Sequence, residues 1–145
     1  MSAIDTDLVH QFVYDAHNDL DSVKKLLKKE PALVNASWDW GGGDWETALG
    51  AAAHTGRKDI AEYLLQRGAR IDLFAAAMLG KLEIVKAVVA DDPSVIDKRG
   101  PHGISLMAHA KSGGKEAAEV VKLLRSTGKP TKTTGKTPKA KKAEA

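Results

Sequence analysis

The sequence predicts an all-α fold, a solenoid of about four helix-turn-helix repeats with irregular β-hairpin fingers. The first observation is a short motif, rich in Ala and closed by Gly, which recurs at residues 51–56, 75–80 and 108–113. The second is an amphipathic helical pattern that follows each copy of this motif. Self-similarity of this kind is the signature of repeat architectures, so we expect each unit to be one helix pair stacked on its neighbours.

The helix after each motif carries apolar residues at i, i+3 and i+4 spacing, which is typical of a helix with one buried face. These residues are Ile60, Tyr63, Leu64 and Leu65, then Ile84, Val85, Val88 and Val89, then Val120, Val121, Leu123 and Leu124. The pattern occurs once more near the start, where Leu20, Val23, Leu26 and Leu27 follow Asn18. Asn tolerates the positive φ of a helix end better than most residues, so it can replace the closing Gly.

One repeat carries a family resemblance. Residues 47–72 read TALGAAAHTGRKDIAEYLLQRGARID, which resembles the ankyrin repeat, although Ala48 and Gly50 stand where that family usually has Pro and His. The resemblance extends over about residues 7–128, with repeats at about 7–36, 44–72, 73–97 and 103–128, and short bacterial ankyrin-repeat proteins are similar. It implies a recognition scaffold that binds a protein partner on the concave face of its inner helices, without catalysis.

The spacing of the repeats is irregular. Equivalent apolar positions, at Leu27, Leu65, Val89 and Leu124, are 38, 24 and 35 residues apart, whereas the ankyrin period is about 33. The short middle spacing predicts that the finger between repeats two and three is missing or reduced. Two fingers should remain, an overlong one at residues 35–46 and a basic one at residues 97–103. We expect the gap between them to form a binding groove.

The long finger holds all three Trp of the chain, Trp38, Trp40 and Trp45. Trp is enriched at interface hot spots, so these residues are candidates for partner contact. They could equally pack on one another and on repeat one to hold the loop in shape, or line a small-molecule pocket. The predicted partner-binding residues are Trp38, Trp40, Asp44, Trp45, His54, Phe74, Met78, Arg99 and His102.

Catalytic and cofactor chemistry finds little support. The chain has no Cys, which removes thiolate catalysis and Cys-ligated zinc. The glycines at residues 41–43 lack the pattern of a phosphate-binding loop and precede Asp44, so they predict a tight hairpin turn. A metal cluster of His54, His102 and His109 with the finger aspartates is an open alternative, but hydrogen bonding is the default role for these His. We therefore expect no enzyme, no cofactor and no metal site.

The last 17 residues, 129–145, carry six Lys and one Glu. This tail has a net charge of +5, which leaves −2 on residues 1–128 of a chain whose total is +3. With only Ala as an apolar type, it is expected to be disordered. It is either a solubilising extension or a contact for nucleic acid or an acidic partner, which makes a nucleic-acid-associated adaptor the alternative function. We expect a cytoplasmic protein with no membrane association, since no signal or membrane-spanning pattern occurs. We also expect a monomer.

Overall fold

The computed structural model describes residues 2–128, so the predicted disordered tail lies outside the described residues. Eight α-helices and one small hairpin follow in chain order. They are α1 (Thr6–Asp15), α2 (Leu20–Lys29), β1 (Ser37–Asp39), β2 (Trp45–Thr47), α3 (Ala48–His54), α4 (Lys58–Gln66), α5 (Leu73–Met78), α6 (Leu82–Asp91), α7 (Leu106–Ser112) and α8 (Ala118–Gly128). None of the helices in this part of the chain has the length and apolar character needed to cross a bilayer.

The first helix of each pair begins at a side-chain N-cap. Asp5, Thr47, Asp72 and Ser105 precede α1, α3, α5 and α7, and each accepts a hydrogen bond from a backbone N–H of the first turn. Such caps satisfy donors that the helix itself leaves free. At α3 the Thr47 hydroxyl accepts from the N–H of Gly50 at 3.0 Å. The start of this helix is therefore capped even though Ala48 and Gly50 depart from the usual Pro and His.

Small side chains let the first helices of the pairs pack closely. Helix α5 lies between α3 and α7, and its Ala75, Ala76 and Ala77 are fully buried. The second helices supply larger core residues such as Leu64 and Val85, also fully buried. The predicted amphipathic spacing and the mainly helical class are thus confirmed.

The connections between pairs differ. Strands β1 and β2 pair antiparallel, with Trp38 opposite Glu46 and Asp39 opposite Trp45. Their turn contains Gly41, Gly42 and Gly43, all at positive φ. Helix α4 is joined to α5 by residues 67–72, in which no strand is formed. Before α7, a single bridge between Arg99 and Ser105 encloses a turn at Pro101–Gly103. We call β1, β2 and their turn the hairpin, and residues 99–105 the second finger.

Candidate functional site

The pairing of the hairpin separates its three Trp residues onto two faces. Residues directly opposite each other in a β-ladder project to the same face, and successive residues alternate. Trp38 and Glu46 therefore share one face, and Trp45 belongs to the other. Trp38 is partly buried against the core, whereas 60% of the surface of Trp45 is exposed.

Two of the Trp residues hold the hairpin against α1. The ring of Trp38 stacks on His10, with centroids 4.7 Å apart and an interplanar angle of 26°. Trp40 meets the same imidazole edge-on at 5.4 Å and is also partly buried against the core. Aromatic pairs at such distances add to the stabilisation from burial alone. The inner face of the hairpin is therefore packed, and its outer face carries Trp45.

Glu46 lies at the centre of a group of imidazoles. Its carboxylate has no exposed area, and Oε1 accepts a hydrogen bond of 2.9 Å from the indole N–H of Trp40. The Nε2 atoms of His17 and His102 lie 3.2 and 3.3 Å from Oε1, and Nε2 of His54 lies 3.0 Å from Oε2. We call His17, Glu46, His54 and His102 the Glu46 cluster. One potential ligand atom from each of the four residues lies within 4.8 Å of the other three.

The contact between His54 and Glu46 is close without being a hydrogen bond. Nε2 and Oε2 are 3.0 Å apart, but no hydrogen bond joins them. Both atoms are buried and have no hydrogen-bond partner. Buried polar atoms normally have partners, so this pair is an exception that calls for a physical explanation.

The Glu46 carboxylate is ionised at neutral pH. Burial by itself raises its pKa, but the neighbouring imidazoles of His17 and His54 and the Trp40 N–H outweigh burial and lower the pKa to about 2. In return, the contact with Glu46 raises the pKa of His17 above 6.5. The centre of the cluster thus carries a fixed negative charge beneath three basic rings.

The second finger brings His102 to this cluster. Asp44 accepts two hydrogen bonds from His102, one from the backbone N–H at 2.7 Å and one from ring Nδ1 at 2.8 Å. These bonds lower the pKa of Asp44. Among residues 2–128, His102 is the only non-glycine residue with positive φ, at 61°. That conformation costs an L-residue about 1–2 kcal/mol, so the two bonds to Asp44 hold His102 in an unfavourable backbone geometry.

A further buried imidazole lies beside the cluster. His109 is fully buried, and its ring packs on Phe74 with centroids 4.8 Å apart. Its Nδ1–H donates to the carbonyl of Ser105 at 2.8 Å, which leaves Nε2 without a partner. Burial lowers the pKa of His109 below 6.5. This imidazole is therefore neutral at physiological pH.

The predicted partner-binding residues fall into separate environments. Trp40, Asp44, His54 and His102 come together at the Glu46 cluster, while Trp38 packs on His10 and Phe74 on His109. Trp45 and Arg99 are exposed, and the Arg99 guanidinium donates to the carbonyl of Gly103 in its own finger at 3.0 Å. Met78 is fully buried in the core. This corrects the expectation that Met78 contributes to a contact surface.

Sequence reasoning missed His17 and Glu46. The position of Glu46 next to the N-cap Thr47 gave no sign that its side chain would be buried, because that follows from the hairpin register. One signal was present: His17 lies two residues after the end of α1, and His54 is the last residue of α3, so both are near the end of the first helix of a pair. Successive repeats stack such positions side by side, and here the ring centroids are 5.0 Å apart.

Comparison with known proteins identifies the fold family. The family model for ankyrin repeats, in three copies, matches residues 9–91. No curated protein matches the chain. The matched residues run from within α1 to the end of α6, include the hairpin and exceed half of the 145-residue sequence. The chain therefore belongs to the ankyrin-repeat family.

Proposed function

We propose that this ankyrin-repeat chain is a non-catalytic binding module that holds a protein partner at the outer face of the hairpin and the adjoining inner-helix face. Ankyrin repeats are generally protein–protein interaction modules. The observation that carries the finer proposal is the position of Trp45, which is 60% exposed on a hairpin that is packed from behind. The proposal places α7 and α8 as a fourth, terminal repeat and the protein in the cytoplasm as a monomer.

The surroundings of Trp45 suit an anchor residue. A shallow groove of about 260 Å³ runs beside it, lined by Thr6, Val9, Ser37, Trp38, Asp39 and Trp45. An exposed indole offers a large apolar surface and one N–H donor, and such side chains dominate the binding energy of many interfaces. Both Trp38 and Trp45 line this groove, so a partner side chain inserted here would contact apolar surface.

Rigidity of the hairpin favours binding. Trp38 and Trp40 pack its inner face on α1, and Asp44 ties its turn to His102 of the second finger. A loop that is already ordered loses less conformational entropy on binding than a free one. Arg99, exposed on the second finger, extends the proposed surface with a positive charge.

The test is affinity capture from native lysate with the full-length protein, followed by mass spectrometry. Wild type is compared with Trp45→Ala and with the control Ile84→Ala, which removes an exposed side chain from α6. We expect to find lysate proteins that are captured by both wild type and Ile84→Ala. The Trp45→Ala variant should fail to capture these same proteins. Circular dichroism and melting curves of all three proteins should agree, because substitutions of exposed side chains change stability by only about 0.5 kcal/mol.

Two outcomes would contradict the proposal. If Trp45→Ala retains the same proteins as wild type, Trp45 is no anchor. If capture depends instead on nucleic acid and disappears at high salt, the basic residues 129–145 account for the binding. The adaptor alternative would then replace this proposal, because phosphate contacts weaken steeply with added salt.

A further inference from the structure

The protonation of two imidazoles in the Glu46 cluster follows from their partners. Nδ1 of His17 lies 3.1 and 3.0 Å from the carbonyl oxygens of Val13 and Tyr14, which can only accept hydrogen bonds. Nδ1 of His102 lies 2.8 Å from the carboxylate of Asp44. Both Nδ1 atoms therefore carry hydrogen. In the neutral imidazole the lone pair is then on Nε2, the atom that approaches Glu46 in each case.

Lone pairs of nitrogen and oxygen at these distances repel each other unless a positive charge lies between them. Protons on Nε2 of His17 and His102 could supply that charge, with Glu46 and Asp44 as the counter-charges, but they would leave Oε2 of Glu46 and Nε2 of His54 without partners. His17 and His54 have ring centroids 5.0 Å apart, and His54 and His102 5.2 Å. One divalent cation among the four side chains would satisfy all of them, including the two buried atoms without partners, Oε2 of Glu46 and Nε2 of His54.

We propose that His17, Glu46, His54 and His102 form a zinc-binding site. Three imidazoles and one carboxylate match the ligand types and the number that Zn²⁺ takes in closed structural sites. With bonds of about 2.0–2.1 Å, a tetrahedral ion separates its ligand atoms by about 3.3 Å. Nε2 of His17 and of His102 lie 3.2 and 3.3 Å from Oε1 of Glu46, and Nε2 of His54 lies 3.0 Å from Oε2. One ligand atom from each of the four residues lies within 4.8 Å of the other three. The site departs from our expectation of no metal, which rested on the sequence alone.

The groups around the proposed ligands fit the same assignment. Metal-binding His residues usually donate their second ring N–H to a carbonyl or carboxylate, which orients the ring and directs the other nitrogen at the ion. His17 and His102 do both of these things. The ligating carboxylate is itself hydrogen-bonded in such sites, as Glu46 is by Trp40.

The position of the site indicates a structural role. Its ligands come from the turn after α1, from β2, from the end of α3 and from the second finger. A bound ion would join these segments, which are up to 85 residues apart between His17 and His102. All four positions are taken by protein groups, and a catalytic zinc would need an open one. The inference is independent of the partner proposed for Trp45.

The test uses the untagged full chain, freed of metal with EDTA, dialysed and titrated with ZnCl₂ by calorimetry. We expect one Zn²⁺ per chain, a melting temperature that rises with zinc, and affinities at least about 100-fold weaker for Glu46→Gln and His54→Gln. The matched control is His10→Gln, which removes an imidazole stacked on Trp38 and outside the cluster. This variant should bind zinc like wild type.

Co²⁺ provides a measurement that does not depend on folding of the variants, since the visible bands of the wild-type Co²⁺ protein distinguish four-coordinate from six-coordinate sites. Intense four-coordinate bands displaced by equimolar Zn²⁺ support the proposal. The proposal is overturned if wild type shows no saturable 1:1 binding, or if Glu46→Gln and His54→Gln bind as tightly as His10→Gln. The Glu46 cluster would then be a hydrogen-bonded group only.

Discussion

Asp44 and His102 lie 58 residues apart and are joined by two hydrogen bonds, at 2.7 Å to the backbone N–H and 2.8 Å to ring Nδ1. This contact connects the hairpin to the second finger across the gap where the connection between α4 and α5 forms no strand. It also holds the one non-glycine residue of the described chain that has positive φ. The Asp44 carboxylate thus accepts both hydrogen bonds from His102 to the hairpin, beside the contact of His102 with Glu46.

Asp44→Ala should release the second finger. Without the carboxylate, His102 loses both hydrogen bonds that hold its positive φ and keeps only the contact with Glu46. In metal-free protein we expect hydrogen exchange of the His102 amide to accelerate by roughly tenfold or more, because bonds to charged acceptors are the stronger class. Hydrogen exchange followed by NMR measures this directly.

The matched control for this experiment is Asp39→Ala. Asp39 accepts from the N–H groups of Gly41 and Gly43 inside the hairpin turn, at 2.9 and 3.0 Å. Its removal should loosen that turn and leave the His102 amide protected. Equal acceleration at His102 in both variants would show that the second finger depends on general hairpin order and not on the bond to Asp44.

The helical part of this fold could be predicted because it depends on local patterns. Apolar residues such as Val85 and Val89 recur at helical spacing, and the structure buries them in α6. The reduced connection between repeats two and three could also be predicted, because only residues 67–72 join α4 to α5. In this short segment no strand is formed. These features are readable because each is set by residues close together in the sequence.

The site could be predicted only in part, because side-chain direction in a hairpin depends on register. A shift of one residue would exchange the faces of Trp45 and Glu46. The sequence also offers no means of foreseeing that His102 adopts positive φ. The sequence left three roles open for the Trp residues, namely packing, partner contact and a small-molecule pocket. The structure packs Trp38 and Trp40 against the core and leaves Trp45 exposed, and partner contact by Trp45 stays a prediction.

Trp40→Phe should destabilise the metal-free protein. The change retains an aromatic ring but removes the N–H that donates to Oε1 of Glu46 at 2.9 Å. A buried carboxylate that loses a donor costs about 1–3 kcal/mol of unfolding free energy. Urea denaturation in EDTA measures this loss. If Glu46 is a zinc ligand, the same variant should also weaken zinc binding by about 10- to 100-fold, as changes in the groups around ligands do.

Trp45→Phe is the control for Trp40→Phe. It makes the same chemical change on the exposed face of the same hairpin, where no buried acceptor depends on the indole. Its unfolding free energy should stay within about 0.5 kcal/mol of wild type. Equal losses in the two variants would indicate that the hairpin is sensitive to ring size, and would remove the role assigned to the Trp40 N–H.

His109 should make the protein sensitive to mild acid. Burial, the largest influence, lowers its pKa below 6.5; the bond to Ser105 and the charges of Asp72 and Glu46 act in the opposite direction, and His54 acts with burial. The unfolded chain then binds a proton near pH 6.5 that the folded chain does not. Stability is therefore lost as the pH falls from 6.5 toward the folded-state pKa.

His109→Asn tests this contribution, because the amide can keep a donor near the Ser105 carbonyl and does not titrate. Urea unfolding of both proteins at several pH values between about 5 and 8, in EDTA, gives the slope of stability against pH. We expect the variant to be less stable at pH 8 but to lose less stability on acidification than wild type. Parallel slopes would mean that His109 is not the source of the acid sensitivity.

Gly113→Ala should strongly destabilise the joint between α5 and α7. Gly113 has an ordinary φ of −78°, so alanine is compatible with its backbone. However, a Cβ there would lie 2.7 Å from Cβ of Ala117 and would overlap the carbonyl oxygen of Met78. Because Met78 is fully buried, the backbone must move, and we expect a loss of roughly 3 kcal/mol or more.

Gly114→Ala is the control for Gly113→Ala, because it tests the cost of the backbone conformation without a steric overlap. Gly114 has φ of +63° and open space around a Cβ, so alanine there costs only the left-handed conformation, about 1–2 kcal/mol. Urea denaturation should rank wild type above Gly114→Ala and Gly114→Ala above Gly113→Ala. If Gly114→Ala were the less stable variant, the backbone at the contact between the end of α7 and α5 would move at little cost. The stability of this joint would then depend mainly on the positive φ of Gly114. The expected order would show instead that the stacking of repeats relies on a helix end without a side chain.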